Sequence, residues 1–470
     1  MAMMILILIV LLVLGVARAS VAERVPKFAS IKALFEADAP MTISQVSYER
    51  GKTESSSSSF FEGRKIKKIS LRFTSQVYRG ITAQHRAVVF LPDGQDPVAG
   101  VAAVRLGGGL DVPDADHDWI EHTTLGLGVP SMVILDVFNA KAFGAKNPGE
   151  LMSFGSQSYV ETGDAREYGY YAIARIFSAA ATVLGDMEEV QAERVLVSGG
   201  SKGGMAAMIA CVGDTRIVGC YSTALNGGNL IEFTRLKGER WGWEVKPKLT
   251  GPAGEPAART MVALMSSSGK EMIRLFDPIS WGDLLKGKFV MPAVGTNDPL
   301  FHLLSDQFYL DDLKARKALL RVPNAGHGGQ TALHARGWRF ATAAALLGQE
   351  VPSVRIRAEE STVKVSVFAR ITGAAKGGTL TLWAALDRSG DYRKAEWEAR
   401  EQVTVSGEKG EIHLADLNKT AAGAVAFFAL LEEADKVSGA VLSSNILEVG
   451  NVTRHPMPEK PTAEPLKAPR

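Results

Sequence analysis

The spacing of apolar positions divides the chain into three textures. After an apolar leader, residues 41–48 and 66–78 alternate apolar and polar side chains, the period of strands with one solvated face, and the serine run at 55–59 reads as the loop between them. From His85 the pattern changes. Runs that are apolar on both faces, at 87–91, 101–106, 131–137, 194–197, 218–222, 289–294 and 318–322, predict buried strands, with helical stretches at 168–184, 203–211 and 331–347. That alternation predicts a doubly wound, mostly parallel α/β sheet over residues 20–352. It lapses at 229–286, an insertion containing Trp241, Trp243, Pro252 and Pro256 that stands either as a cap over the strand ends or as a surface excursion. Beyond Pro352, short β-like runs at 353–357, 363–369, 379–385, 402–405 and 424–431, with turn residues between them, predict an all-β sandwich over 353–450. Residues 451–470, rich in proline and charge, predict a loose tail.

Composition adds limits rather than identity. A chain of 470 residues with 46% hydrophobic and 22% charged residues can bury a full core. Fifty-three basic against fifty-one acidic residues give no overall field that would draw it to nucleic acid or an anionic membrane. Residues 1–17 are apolar, and Ala17-Arg18-Ala19 then places small residues as a signal peptidase requires, so 1–19 reads as an export signal cleaved after Ala19. The alternative is an uncleaved anchor, the one route to membrane contact. Cys211 and Cys220 are the only cysteines; they read as a single bridge or as two buried thiols, structural in either case.

Chemistry concentrates where the strand at 194–197 ends. A serine hydroxyl is a poor nucleophile until a base takes its proton and donors receive the oxyanion, so its backbone setting is the signal. In Val197-Ser198-Gly199-Gly200-Ser201-Lys202-Gly203 a β-branched strand runs into glycines and then into a helix of small residues. This is the G-x-S-x-G elbow of the α/β-hydrolase fold, whose turn is too tight for side chains beside the serine. Ser201 is the expected nucleophile. The Lys202 N–H would donate to the oxyanion, and a second donor is expected from Gly107-Gly108-Gly109, at Gly108 and Gly109. The chain order of such sites, serine then acid then histidine, selects His327 in the loop after the strand at 318–322, with His302 as the other histidine near a strand end and His334 inside the following helix. Asp298, at the end of the strand at 289–294, is the expected orienting acid, whereas Asp306, Asp311 and Asp312 fall in what reads as a solvated helix. Asp111, Asp114, Asp116, His117 and Asp118 cluster beyond the glycine loop without metal-ligand spacing, and read as a solvated loop. No metal or cofactor is expected.

At this point the sequence resembles the PhoPQ-activated pathogenicity-related protein family. Gly200-Ser201-Lys202 resembles its Ser-Lys elbow, and Thr74-Ser75-Gln76-Val77-Tyr78 with His85 resembles its early Ser-Gln-x-Trp segment. Asn297-Asp298-Pro299 with Phe308-Tyr309-Leu310-Asp311, and Leu320-Arg321-Val322-Pro323-Asn324 before His327, resemble its acid and histidine regions. Later, Leu382-Trp383-Ala384-Ala385, Asp391-Tyr392-Arg393 and Ala426-Phe427-Phe428 resemble marks of its last domain. Tyr78 in place of a tryptophan, Gly204-Met205, and Gly423-Ala424 without an aromatic are departures. The resemblance implies an exported bacterial α/β-hydrolase, periplasmic or secreted, with a C-terminal β domain, and does not settle its substrate; the elbow and the serine, acid, histidine order point to a small-molecule, peptide or saccharide ester or amide. Two other classes remain open: a hydrolase fold whose catalysis has lapsed, acting as a secreted binding protein, and a carbohydrate-binding sandwich using Trp383 and Trp397.

Overall fold

The alternating side chains at 66–78 lie in an antiparallel ribbon that forms one wing of the central sheet, while most of the run at 41–48 and of the serine run at 55–59 lies outside the described residues. The computed structural model describes residues 27–38, 47–55, 61–107, 119–135, 155–156, 158–159, 161–244, 256–328, 331–373, 377–407, 409–418, 424–435, 437–452 and 454–458. A short helix, α1 (Ile31–Ala37), is capped by the Ser30 side chain, which accepts from the Ala33 N–H. Strands β1 (Ser47–Ser55), β2 (Lys65–Tyr78) and β3 (Ile81–Asp93) then pair antiparallel. Arg79 and Gly80, both at positive φ, make the tight turn between β2 and β3.

The predicted buried strands follow as β4 (Val101–Leu106), β5 (Ser131–Leu135), β6 (Arg194–Gly200), β7 (Ile217–Thr223), β8 (Phe289–Gly295), β9 (Arg316–Lys317) and β10 (Leu320–Val322). The sheet order is β1-β2-β3-β5-β4-β6-β7-β8-β10, with β9 beside β8; pairing is antiparallel as far as β5 and parallel from there on. Strand β4 shows why these runs are apolar throughout. Ala102, Val104 and Leu106 point into the core formed with α2 (Gly169–Asp186) and α3 (Lys202–Gly213), while Val101 and Ala103 point into a second core containing Trp338 and Phe340 of α7 (Ala332–Leu346). Helices therefore cover both faces, each buried aliphatic side chain contributing ~1.5–3 kcal/mol. This is the α/β-hydrolase fold. Of the run at 318–322 only Leu320–Val322 forms strand β10; Ala318 and Leu319 lie between it and β9, and the Leu319 carbonyl accepts the Ser443 N–H of the sandwich at 2.6 Å.

The insertion is helical where described: α4 (Leu230–Trp241), α5 (Ala257–Met265) and α6 (Ser267–Phe276). Beyond β10 and α7, β11 (Ser353–Glu360), β12 (Lys364–Thr372) and β15 (Lys409–Asn418) form one antiparallel sheet. The other contains β13 (Gly378–Asp387), β14 (Glu398–Val405), β16 (Ala424–Glu433), β17 (Val441–Ser443) and β18 (Leu447–Gly450). Strand β15 escapes the sequence pattern because Lys409, Glu411, His413 and Asp416 interrupt its aliphatic residues. The second core runs without a break from α7 into Val354, Leu380 and Phe428 of the sandwich.

Some sequence expectations lie outside the described residues: the export signal at 1–19, Gly108 and Gly109, and the Asp111 to Asp118 cluster. Among the described residues no helix is long and apolar enough to cross a membrane, and no group of side chains is arranged to hold a metal ion. Cys211 and Cys220 are free, buried thiols. The first residues beyond β18 are tied down: Trp243 donates to the His455 carbonyl at 3.0 Å, and the His455 N–H donates to Glu239 O at 2.8 Å.

Candidate active site

The parallel strands β6 and β8 end at the same edge of the sheet, and that edge collects the candidate residues. Ser201 sits between β6 and α3 at φ 53 and ψ −111, a conformation that side-chain-bearing residues rarely hold. The surrounding backbone enforces it. The Ser201 N–H donates to Thr223 O at 2.8 Å, and a Cβ on Gly199 would lie 2.6 Å from the carbonyl carbon of Gly203. Gly199→Ala is therefore expected to destabilise the fold by about 1–3 kcal/mol through overpacking and to displace the elbow. A thermal melt and an ester-hydrolysis assay check it; wild-type values in both would refute the steric argument.

Loop geometry delivers the partners. Asp298 follows β8, with its side chain fully buried. Its Oδ1 accepts the N–H groups of Leu300 at 2.7 Å and Phe301 at 3.1 Å, which leaves Oδ2 facing the His327 ring. His327 Nδ1 donates to that oxygen at 2.9 Å. This fixes the tautomer: Nε2 carries the lone pair, and the Ser201 hydroxyl donates to it at 3.0 Å. The imidazole is 22% exposed, enough for a substrate to reach Nε2 beside the serine. Lys202 is the first residue of α3, so its N–H belongs to the amides that a helix start leaves without an intrahelical acceptor. Its ammonium is half-buried, and desolvation lowers its pKa. Gly107 spends its own N–H on Ile134 O at 2.8 Å, so any oxyanion donor from the glycine loop lies beyond it.

The other sequence candidates are placed elsewhere. His302 is buried against Trp241, donates from Nε2 to Gly390 O at 3.3 Å and accepts the Leu304 N–H at Nδ1. Burial drives its pKa down to about 3, so it stays neutral with both nitrogens engaged. His334 completes a capping box with Thr331 at the start of α7. Asp306 is not solvated, as its position in the sequence implies, but buried against Arg321 at 2.6 Å. Asp311 does lie at the surface, paired with Arg355. Trp397 is 2% exposed and Trp383 is packed on the second core, so neither tryptophan forms an open platform.

An aromatic shelf beside the imidazole is absent from the sequence reading. Phe301 stacks on His327 with centroids 5.9 Å apart, and Phe233 of α4 stacks on Phe301 at 5.7 Å. One turn further along α4, the Lys237 ammonium lies 5.3 Å from the Phe233 ring. Burial pulls the Lys237 pKa down to about 8, against the attraction of Asp298. The insertion thus reaches the edge of the site. The i,i+4 spacing of Phe233 and Lys237 was the only local signal, and it is common on any helix.

No curated protein matches the chain by sequence. Among solved structures, an acetyl xylan esterase from a Paenibacillus species is similar at 17% identity and a TM-score of 0.44, over 66% of this chain and 94% of that one. Acetyl xylan esterase 1 from a Thermoanaerobacterium species follows at 15% identity and 0.42, over 66% and 93%. A glucuronoyl esterase from Teredinibacter turnerae gives 16% identity and 0.42, over 66% and 80%. A family model described as PhoPQ-activated pathogenicity-related protein matches residues 48–393.

Proposed function

The chain belongs to the PhoPQ-activated pathogenicity-related protein family, and from that membership we propose that it is a serine hydrolase cleaving an ester or amide through an acyl-enzyme. One observation supports this reading above the rest. A single imidazole spans the hydroxyl of a serine held at positive φ and a buried carboxylate, at 3.0 Å and 2.9 Å, with the hydrogen-bond polarity a general base needs.

In the proposed cycle Ser201 Oγ attacks the substrate carbonyl carbon while its proton passes to His327 Nε2. Asp298 stabilises the imidazolium that results. The oxygen of the tetrahedral intermediate takes the Lys202 N–H and a second donor, for which Gly108 and Gly109 remain the candidates. Collapse breaks the bond to the leaving group, which departs with the proton from Nε2. Water then repeats the sequence on the acyl-serine, giving up a proton to His327 and releasing the acid and the free hydroxyl. No step calls for a metal or cofactor. The substrate is a small-molecule, peptide or saccharide acyl compound. The leader at 1–19 would carry the protein out of the cytoplasm, to the periplasm or beyond the cell.

A fluorophosphonate probe tests the proposal, since it phosphonylates an activated serine with loss of fluoride. Wild-type protein is expected to label at one site, and Ser201→Ala, folded by circular dichroism, to be silent. Folded wild-type protein that stays unlabelled would instead favour a lapsed hydrolase serving as a binding protein.

A further inference from the structure

The loops carrying Asp298 and His327 both run against the C-terminal sandwich, and both meet it within one segment, residues 390–397 between β13 and β14. Asn297 donates from Nδ2 to the carbonyl of Ala395 at 2.7 Å and to that of Tyr392 at 3.3 Å. Asn324 exchanges two bonds with the main chain of Trp397, donating to its carbonyl at 2.8 Å and accepting its N–H at 2.8 Å. Thr296 joins the two sides, its hydroxyl donating to Asn297 Oδ1 at 2.9 Å while accepting the Asn324 N–H at 2.8 Å. A continuous path therefore runs from Ala395 through Asn297, Thr296 and Asn324 to Trp397. The carboxylate lies one residue beyond Asn297, and the imidazole three residues beyond Asn324.

The anchoring segment is itself held firmly. Tyr392 and Trp397 are 0% and 2% exposed, with ring centroids 6.0 Å apart, and Trp397 packs on Phe428 at 5.3 Å. The Tyr392 hydroxyl donates to Glu448 at 2.9 Å, and Glu448 pairs with Arg240 of α4 at 2.5 Å. Asn324 occupies the left-handed region at φ 56, where Asn is tolerated better than most side chains. Both asparagines bond to main-chain groups, whose positions are fixed by a packed sandwich rather than by flexible side chains.

We infer that residues 390–397 are a positioning element of the hydrolytic site, setting the spacing of the acid and histidine loops through Asn297 and Asn324. The sandwich then acts on catalysis without touching substrate. This rests on the Ser201, His327 and Asp298 reading above. The physical reason is that proton transfer among these three groups tolerates little misplacement, and a displacement of about 1 Å costs on the order of 100-fold in rate. A seam that merely held two domains together would lower stability and leave the turnover of each folded molecule unchanged.

The test uses the full chain, Asn297→Ala, Asn324→Gly and the double variant; glycine at 324 keeps the left-handed backbone while removing the side chain. Active sites are counted by fluorophosphonate titration, and p-nitrophenyl acetate hydrolysis is expressed per titrated site. Each single variant is expected to lose about 10- to 100-fold in kcat with KM within about twofold, and the double variant to lose less than the product, because both substitutions break one network. Asn297→Ser, too short to reach Ala395, replaces Asn297→Ala if that variant does not fold. Turnover per titrated site within about twofold of wild type in every folded variant, whatever happens to Tm, overturns the inference. Wild-type protein that neither labels nor hydrolyses the ester brings down the underlying reading and this inference together, which separates the two failures.

Discussion

Asp298→Asn is expected to lower kcat by about 10⁴-fold although the variant is isosteric and stays folded. The cause is a reversal of polarity. Oδ1 of Asp298 accepts two backbone N–H groups, from Leu300 and Phe301, so the asparagine amide oxygen would take that side and its NH₂ group would face His327 Nδ1. That nitrogen would then have to accept, which puts the ring proton on Nε2, directly opposite the Ser201 hydroxyl. The serine would face a donor instead of a base. His327→Ala removes the base outright and is expected to cost about 10⁴- to 10⁶-fold. Ester hydrolysis and fluorophosphonate inactivation rates, read beside the melting temperature, check both. An Asp298→Asn enzyme within tenfold of wild type would mean that the carboxylate does not orient the ring.

The second large effect concerns stability. Arg321 of β10 is completely buried, and its guanidinium donates to Asp306 at 2.6 Å and to the Ser444 carbonyl of the sandwich at 2.6 Å. Asn226 donates to the same Asp306 oxygen at 3.3 Å. Removing the carboxylate strands a positive charge where water cannot reach it, so Asp306→Ala is expected to destabilise by about 3–5 kcal/mol. Asp311→Ala is the control. Its pair with Arg355 has both side chains more than half exposed, and its loss is expected to cost under about 1 kcal/mol. Chemical denaturation of the two variants side by side decides the matter, and equal losses would show that burial of the Arg321 pair carries no special weight.

Much of the molecule was legible along the chain because it depends on neighbours in sequence. The strand, glycine, serine, glycine, helix succession at 194–213 states its own geometry: Gly199 must lack a Cβ because the Gly203 backbone lies where that atom would be. Apolar runs identified β4 to β8 because a strand buried on both faces has no polar positions to show. The order serine, acid, histidine placed Asp298 and His327 on the loops that follow β8 and β10.

The triad candidates and their elements were thus determined by the sequence, through local backbone requirements and hydrophobic period. What only the tertiary structure decided is everything set by contacts between distant residues. The hydrogen bond between Ser201 and His327 spans 126 positions, and those of Asn297 and Asn324 to the sandwich span 98 and 73. The same holds for the burial of Asp306, which reads as an ordinary polar residue until Arg321 closes over it, and for the neutrality of His302. Hydrogen-bond partners and desolvation belong to the packed arrangement. A polar residue's type and spacing state what it can donate or accept, while the fold alone determines which group stands opposite and how much water remains.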